Sequence, residues 1–186
     1  YRDLGEYESA EQAYAGAGNA AHQVSYQFLI NYLSLAKARL NRLRGKTEEA
    51  RLSLAEIEPI IRAGDSNYER GLYYLEYGCV QLAEENLTAA VINLQQALDY
   101  FERSNLSTEV VGCHIWLASA FLGSGDEVSA CNHLQIAFNQ AKSESETFTL
   151  IQTVRQARPR LVALQENVGI GSALTTWITS ALQADA

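Results

Sequence analysis

Apolar positions along the chain recur in sets of three. The sets are Ala10, Tyr14 and Ala17; Ala50, Leu54 and Ile57; Ala90, Leu94 and Ala97; and Ala130, Leu134 and Ala137. Within a set the spacing is i, i+4, i+7, which puts all three side chains on one face of a helix. From set to set the step is 40 residues, with no gap across four units. The small residues Ala38, Gly78 and Ala118 keep the same step. Five residues before each alanine stand Gly5, Gly45, Glu85 and Gly125. A preceding helix must end there, and glycine accepts the left-handed conformation that ends it.

This pattern predicts helical hairpins, with the small residues letting the two helices of a pair approach closely. Breakers mark the joints: Gly16, Gly18 and Asn19; Gly64 and Asp65; Asn105 and Ser107; Ser143 and Ser145. Ser66 with Glu69 and Ser143 with Glu146 have the spacing of a capping box. The predicted helices are 6–16, 20–44, 47–63, 67–83, 87–103, 108–123, 126–142, 146–166 and 171–184. Pro59 is expected to kink its helix, and Pro159 to break or kink the first helix of the last pair. The units are a half repeat over 1–18, repeats over about 20–64, 65–105 and 107–143, and an irregular capping hairpin over 146–186.

These residues resemble the tetratricopeptide repeat. Gly125, Ala130, Leu134 and Ala137, with Ala118 before them, match its glycine, alanine, leucine and alanine positions. Gly78, Ala90, Leu94 and Ala97 follow the same pattern, with Glu85 for the glycine. Ala38, Gly45, Ala50 and Leu54 also follow it, with Lys37 where a leucine is expected. The resemblance implies an all-α fold, a right-handed α-α superhelix of antiparallel helix pairs.

The usual period is about 34 residues; a step of 40 means longer helices. That longer unit is similar to the repeat region of two kinds of bacterial transcription regulator. One is the signal-transducing ATPases similar to the maltose-regulon activator; the other carries a bacterial transcriptional activation domain. The segments that carry this likeness run from Ala36 to Ala50 and from Arg155 to Leu164. In the last predicted helix, Ala173 and Trp177 are displaced by three residues from the repeat, as a capping unit requires.

The chain starts at Tyr1, most of the way through the first helix of a unit, and contains no methionine. The sequence therefore predicts a piece of a larger protein. Its first helix would show an uncovered apolar face, so self-association through the N-terminal residues is expected.

Composition narrows the classes. Apolar residues make up 47% of 186 and charged residues 19%, as in an ordinary folded domain. The longest apolar runs are too short to span a membrane. A net charge of −8 disfavours nucleic-acid binding by this segment. Three widely spaced cysteines, Cys79, Cys113 and Cys131, read as reduced thiols of a cytoplasmic protein.

Candidate chemistry is sparse. Cys113, His114, Cys131 and His133 fall on the two helices of one hairpin, but neighbours in sequence diverge by about 100° around a helix and do not converge on a metal. Packed cysteines and solvent-facing histidines are the expected outcome, with no metal and no cofactor. No nucleophile elbow, phosphate loop or His–acid–nucleophile set occurs, so no enzymatic activity is expected.

Two features suggest binding. Tyr68, Tyr73, Tyr74 and Tyr77 share one helix, with Tyr26, Phe28 and Tyr32 on the equivalent helix before it. Tyr73 and Tyr77 are assigned to the core, Tyr32 to the groove. Lys37, Arg39, Arg42, Arg44, Lys46 and Arg51 form a basic run that is either a solvated helix face or a recognition patch.

The repeat phase puts Tyr32, Leu35, Arg39 and Arg42 of the second unit on the concave surface. In the third unit it puts Leu72, Leu75, Cys79 and Leu82 there. An apolar floor with a basic edge suits a partner with an apolar body and an anionic end. The expected function is a non-catalytic protein- or peptide-binding scaffold within a bacterial transcription regulator. The alternative is a small-molecule effector sensor, as the maltose-activator likeness implies.

Overall fold

A helix that must bury one apolar stripe needs a neighbour for it, and most helices among the described residues find one in the next. The computed structural model describes residues 5–141, 144–161 and Thr176. Among these it is all-α, a solenoid of helical repeats without strands. The helices are α1 (Tyr7–Gln23), α2 (Gln27–Leu43), α3 (Thr47–Ala63), α4 (Asn67–Ala83), α5 (Leu87–Arg103), α6 (Ser107–Gly123), α7 (Glu127–Gln140) and α8 (Glu144–Leu161). The predicted helix 171–184, with Ala173 and Trp177, lies outside the described residues, as does Ser143 of the second capping box.

The first seven helices start at regular intervals, at residues 7, 27, 47, 67, 87, 107 and 127. The 40-residue repeat is thus two helix–turn units of equal length. The turns explain why. Gly5, Ser25, Gly45, Glu85, Asn105 and Gly125 all have positive φ, between 53° and 80°. The joint at Gly64, with extended backbone, is the exception in the series.

This corrects the start of the map. Gly16, Gly18 and Asn19 do not end a helix; α1 runs through them to Gln23, and α2 begins at Gln27 instead of residue 20. Glycine lowers helix propensity by about 1 kcal/mol, but the chain turns only where a residue takes the left-handed conformation, here Ser25. Pro59 lies within α3 and Pro159 within α8, and neither ends its helix.

The small-residue positions are the helix crossings. Ala38, Ala118, Ala50, Ala90 and Ala130 are fully buried, as are Leu54, Leu94 and Leu134. At Gly78 a Cβ would stand 2.7 Å from Cγ of Leu94 and 3.3 Å from the Ala90 carbonyl, so α4 and α5 meet there nearly backbone to side chain. Gly71 serves the same purpose against the Phe101 ring, at 2.5 Å.

The end of the solenoid departs from a simple stack. α8 packs mainly along α6 and touches α7 little. In consequence every residue of α6 from Val110 to Ala120 is buried, as befits a helix apolar all round. Arg160 at the end of α8 donates to the carbonyl of Leu82 at 2.7 Å and pairs with Glu85 at 2.8 Å. It thereby caps the C-terminal end of α4 with a cation, where the helix carbonyls favour one.

Ser25 is exposed and carries its positive φ without a glycine. Ser25→Gly is expected to raise stability by about 1 kcal/mol, by removing the Cβ clash of the left-handed conformation. Chemical denaturation would read this directly; a decrease would mean that the turn at residue 25 is not left-handed in solution.

Candidate functional site

The parallel helices α2, α4, α6 and α8 enclose a cavity of about 240 Å³. The 40-residue step puts equivalent side chains side by side. One row is Tyr32, Leu72, Gly112 and Gln152; a second is Ala36, Glu76, Trp116 and Gln156, and all eight line the cavity. Six of the eight groove residues expected from the sequence are in the lining: Tyr32, Leu35, Arg39, Arg42, Leu72 and Leu75. Cys79 is not; it is 2% exposed, and burial pushes its thiol up to about 12. Leu82 is also buried, beyond the cavity wall. Leu72 and Leu75 are buried as well, as part of the core that α4 shares with its neighbours.

The charged end of the cavity centres on Glu76, which the sequence reading passed over. Its side chain is 3% exposed, and both Arg39 and Arg42 pair with it. Arg39 turns Nε and Nη2 to the carboxylate. Arg42 sits 3.5 Å away through Nη2, and its guanidinium lies 5.2 Å from the centre of the Trp116 ring. Burial works against the Arg39 charge, and the field of Glu76 with its hydrogen bond outweighs it, so the guanidinium is held above its ordinary pKa. The acidic group that the two arginines share is therefore supplied by α4 itself.

Other arginines of the basic run also pair inside the chain: Arg44 with Glu8 and Glu11 of α1, and Arg51 with Glu48 of its own helix. Arg39, Arg42 and Arg44 thus tie α2 to α4 or to α1. Lys37 is exposed beside α1 and α3.

Of the aromatic rings, Tyr32, Tyr68, Trp116 and Phe148 line the cavity, and others pack behind them. Phe28 stacks on Tyr32 at 6.5 Å and on Tyr68 at 6.3 Å, and Tyr68 leans on Phe101. Tyr26, Phe28, Tyr32 and Phe148 are exposed. Tyr73 is buried and stacks on Tyr77, so that pair belongs to the core as expected from the sequence. Glu69, expected to complete a capping box, instead accepts from buried Asn31 at 2.7 Å, while Ser66 caps its N–H at 3.2 Å.

A second polar pair lies apart from the cavity. His114 and His133 face each other with 2.8 Å between their Nδ1 atoms, and Phe121 stacks on His133. The histidines were expected to face solvent; His114 is 5% exposed because α6 is enclosed on all sides. One ring must donate and the other accept, so the pair is built for two neutral imidazoles. Burial, then the field of His133, pushes His114 down to about 4; burial lowers His133 too. Among the described residues, no three His, Cys, Asp or Glu side chains converge as a metal site requires.

Two predictions follow from these buried groups. Glu76→Gln leaves two guanidiniums facing each other in the interior and is expected to cost about 3–5 kcal/mol in a denaturation experiment. A loss below about 1 kcal/mol would place the arginines in water. For His114, the unfolded ring takes a proton near pH 6.5 and the folded one near 4. Its contribution is thus complete above about pH 6.5 and is lost as the pH falls toward 4, on the order of 3 kcal/mol. Denaturation at a series of pH values, compared with His114→Gln, should show that slope in the native chain only; parallel profiles would mean that the ring is hydrated.

No protein-family model, no curated protein and no solved structure matches the chain.

Proposed function

We propose that this chain is a non-catalytic binding scaffold of the tetratricopeptide kind, serving a cytoplasmic bacterial transcription regulator. In this reading the cavity between α2, α4, α6 and α8 holds a compact ligand. The observation that carries it is the position of α8. An extended peptide needs an open concave groove; here α8 lies along α6 and leaves an aromatic-rimmed cavity of about 240 Å³. That size is a little below the usual range of small-molecule sites, about 300–1,000 Å³, and so points to a small ligand. The alternative reached from the sequence, an effector sensor, is thus preferred to a peptide groove.

Other features agree with the reading. The three cysteines are free, as in a reducing compartment. No helix among the described residues is long and apolar enough to cross a membrane. Contacts between copies through α1 belong to the same proposal: a groove of about 320 Å³ between α1 and α2, lined by Tyr14, Ala15, Ile30 and Leu33, is a surface a second copy could cover.

The test is a thermal-shift screen of compact organic molecules against the native chain and Gly112→Leu. A Cβ at Gly112 would meet only Thr149 and Thr153, at 3.7 and 3.8 Å, so the variant grows into the cavity without a backbone clash. Ligands are expected to raise Tm for the native chain and to lose that effect in the variant, whose helicity is checked by circular dichroism. Stabilisation that persists in Gly112→Leu, or a screen without a stabilising molecule, would overturn the proposal.

A further inference from the structure

The cavity has charge at both ends and little between. At one end two guanidiniums face a single carboxylate, an excess of one positive charge. Arg39 spends Nε and Nη2 on Glu76, while its Nη1 makes no hydrogen bond among the described residues, and its side chain is 24% exposed. Arg42 is held over Trp116 and is less accessible, at 8%.

At the other end stands Glu109, half-buried in the first turn of α6, lining the cavity and without an ion pair among the described residues. The wall between is Leu35, Leu72, Leu75 and Trp116 on one side and Thr149, Gln152, Thr153 and Gln156 of α8 on the other, with Tyr68 near Glu109. The four ionised side chains of the lining, two arginines and two glutamates, sum to zero. A bound monoanion would leave the buried site with an uncompensated charge; a zwitterion would not.

The register gives the axial part of the separation. Glu109 is level with Leu29 of α2, ten residues before Arg39, or about 15 Å along the axis. Both side chains lean toward the N-terminus, so the lean changes the separation little, while a hydrogen bond at each end of a ligand takes up about 6 Å of it in total. An extended tripeptide spans about 10 Å between its ends.

We infer that the ligand is a small zwitterion of the chemistry of a two- or three-residue peptide with free termini. Its carboxylate sits on Nη1 of Arg39, its ammonium on Glu109, and its apolar side chains lie against Leu72, Leu75 and Trp116. This rests on the reading of the cavity as a ligand site. Arg42 is a positioning residue: by sharing Glu76 and stacking on Trp116 it fixes the carboxylate that in turn orients Arg39. The aromatic rings of Tyr32 and Phe148 flank the mouth through which such a ligand enters.

Calorimetric titration tests the assignment with three probes: a leucine-centred tripeptide with free termini, its N-acetyl form and its C-terminal amide. The free peptide is expected to bind about ten times more tightly than either capped form, since each cap removes one charge-assisted hydrogen bond. In Glu109→Gln the acetylated and free peptides should bind alike, while the amide remains weaker. Glu109 makes no ion pair among the described residues, so this variant keeps the buried cluster. If all three peptides bind equally and Gly112→Leu blocks them, the cavity is a ligand site and the charge assignment is wrong. If no peptide binds although other compact molecules stabilise the native chain, the zwitterion is likewise overturned. If neither peptides nor compact molecules bind, the ligand-site reading falls with it.

Discussion

Two helix backbones can approach closely only where no side chain stands between them, and this chain meets that requirement once per unit. Ala38, Gly78 and Ala118 mark the crossings on one partner of each hairpin, Ala50, Ala90 and Ala130 on the other, all of them buried. A crossing fixed at one residue fixes the rotation and the height of the whole helix. From this follows the alignment of α2, α4 and α6, and with it the meeting of Arg39, Arg42, Glu76 and Trp116 on three helices. The ion cluster is a consequence of the packing register. Once formed, it penalises any slip, because a helix rotated by one residue would carry an arginine away from the carboxylate and strand both.

Much of this was legible in the sequence. The helices 47–63, 67–83 and 87–103 have the bounds that spacing and breakers predict. Six of the eight residues placed on the concave face line the cavity, because the 40-residue phase carries through each first helix. The failures have a common origin. Glycine was treated as a stop signal wherever it clustered, yet Gly16 and Gly18 lie within α1; the turns obey the 20-residue rhythm, which Ser25, Glu85 and Asn105 keep without glycine. Periodicity reports faces, and it is silent about pairs brought together from different helices. That is why Arg39 was assigned to a partner's acid while Glu76, its actual counter-ion, went unnoticed.

The covering of the groove left a trace that could have been read. Residues 110–120 contain no charged side chain and almost no polar one. A helix that apolar needs neighbours on every side, and two adjacent hairpin helices leave one side open. A third cover was therefore required, and α8 provides it. The same enclosure buries His114 and turns the histidine pair into a neutral, interior contact.

The bond from Arg160 to Leu82 joins positions 78 residues apart, whereas the hairpin contacts join neighbours in sequence. Contacts between near neighbours close small loops and form early, while distant ones wait until the intervening chain is ordered. α8 is thus the last wall to arrive in folding, and the cavity comes into being only with it. Among the described residues it is also the wall held by the fewest local contacts, so partial opening is expected to begin at the site and to leave the hairpins α2 to α7 intact.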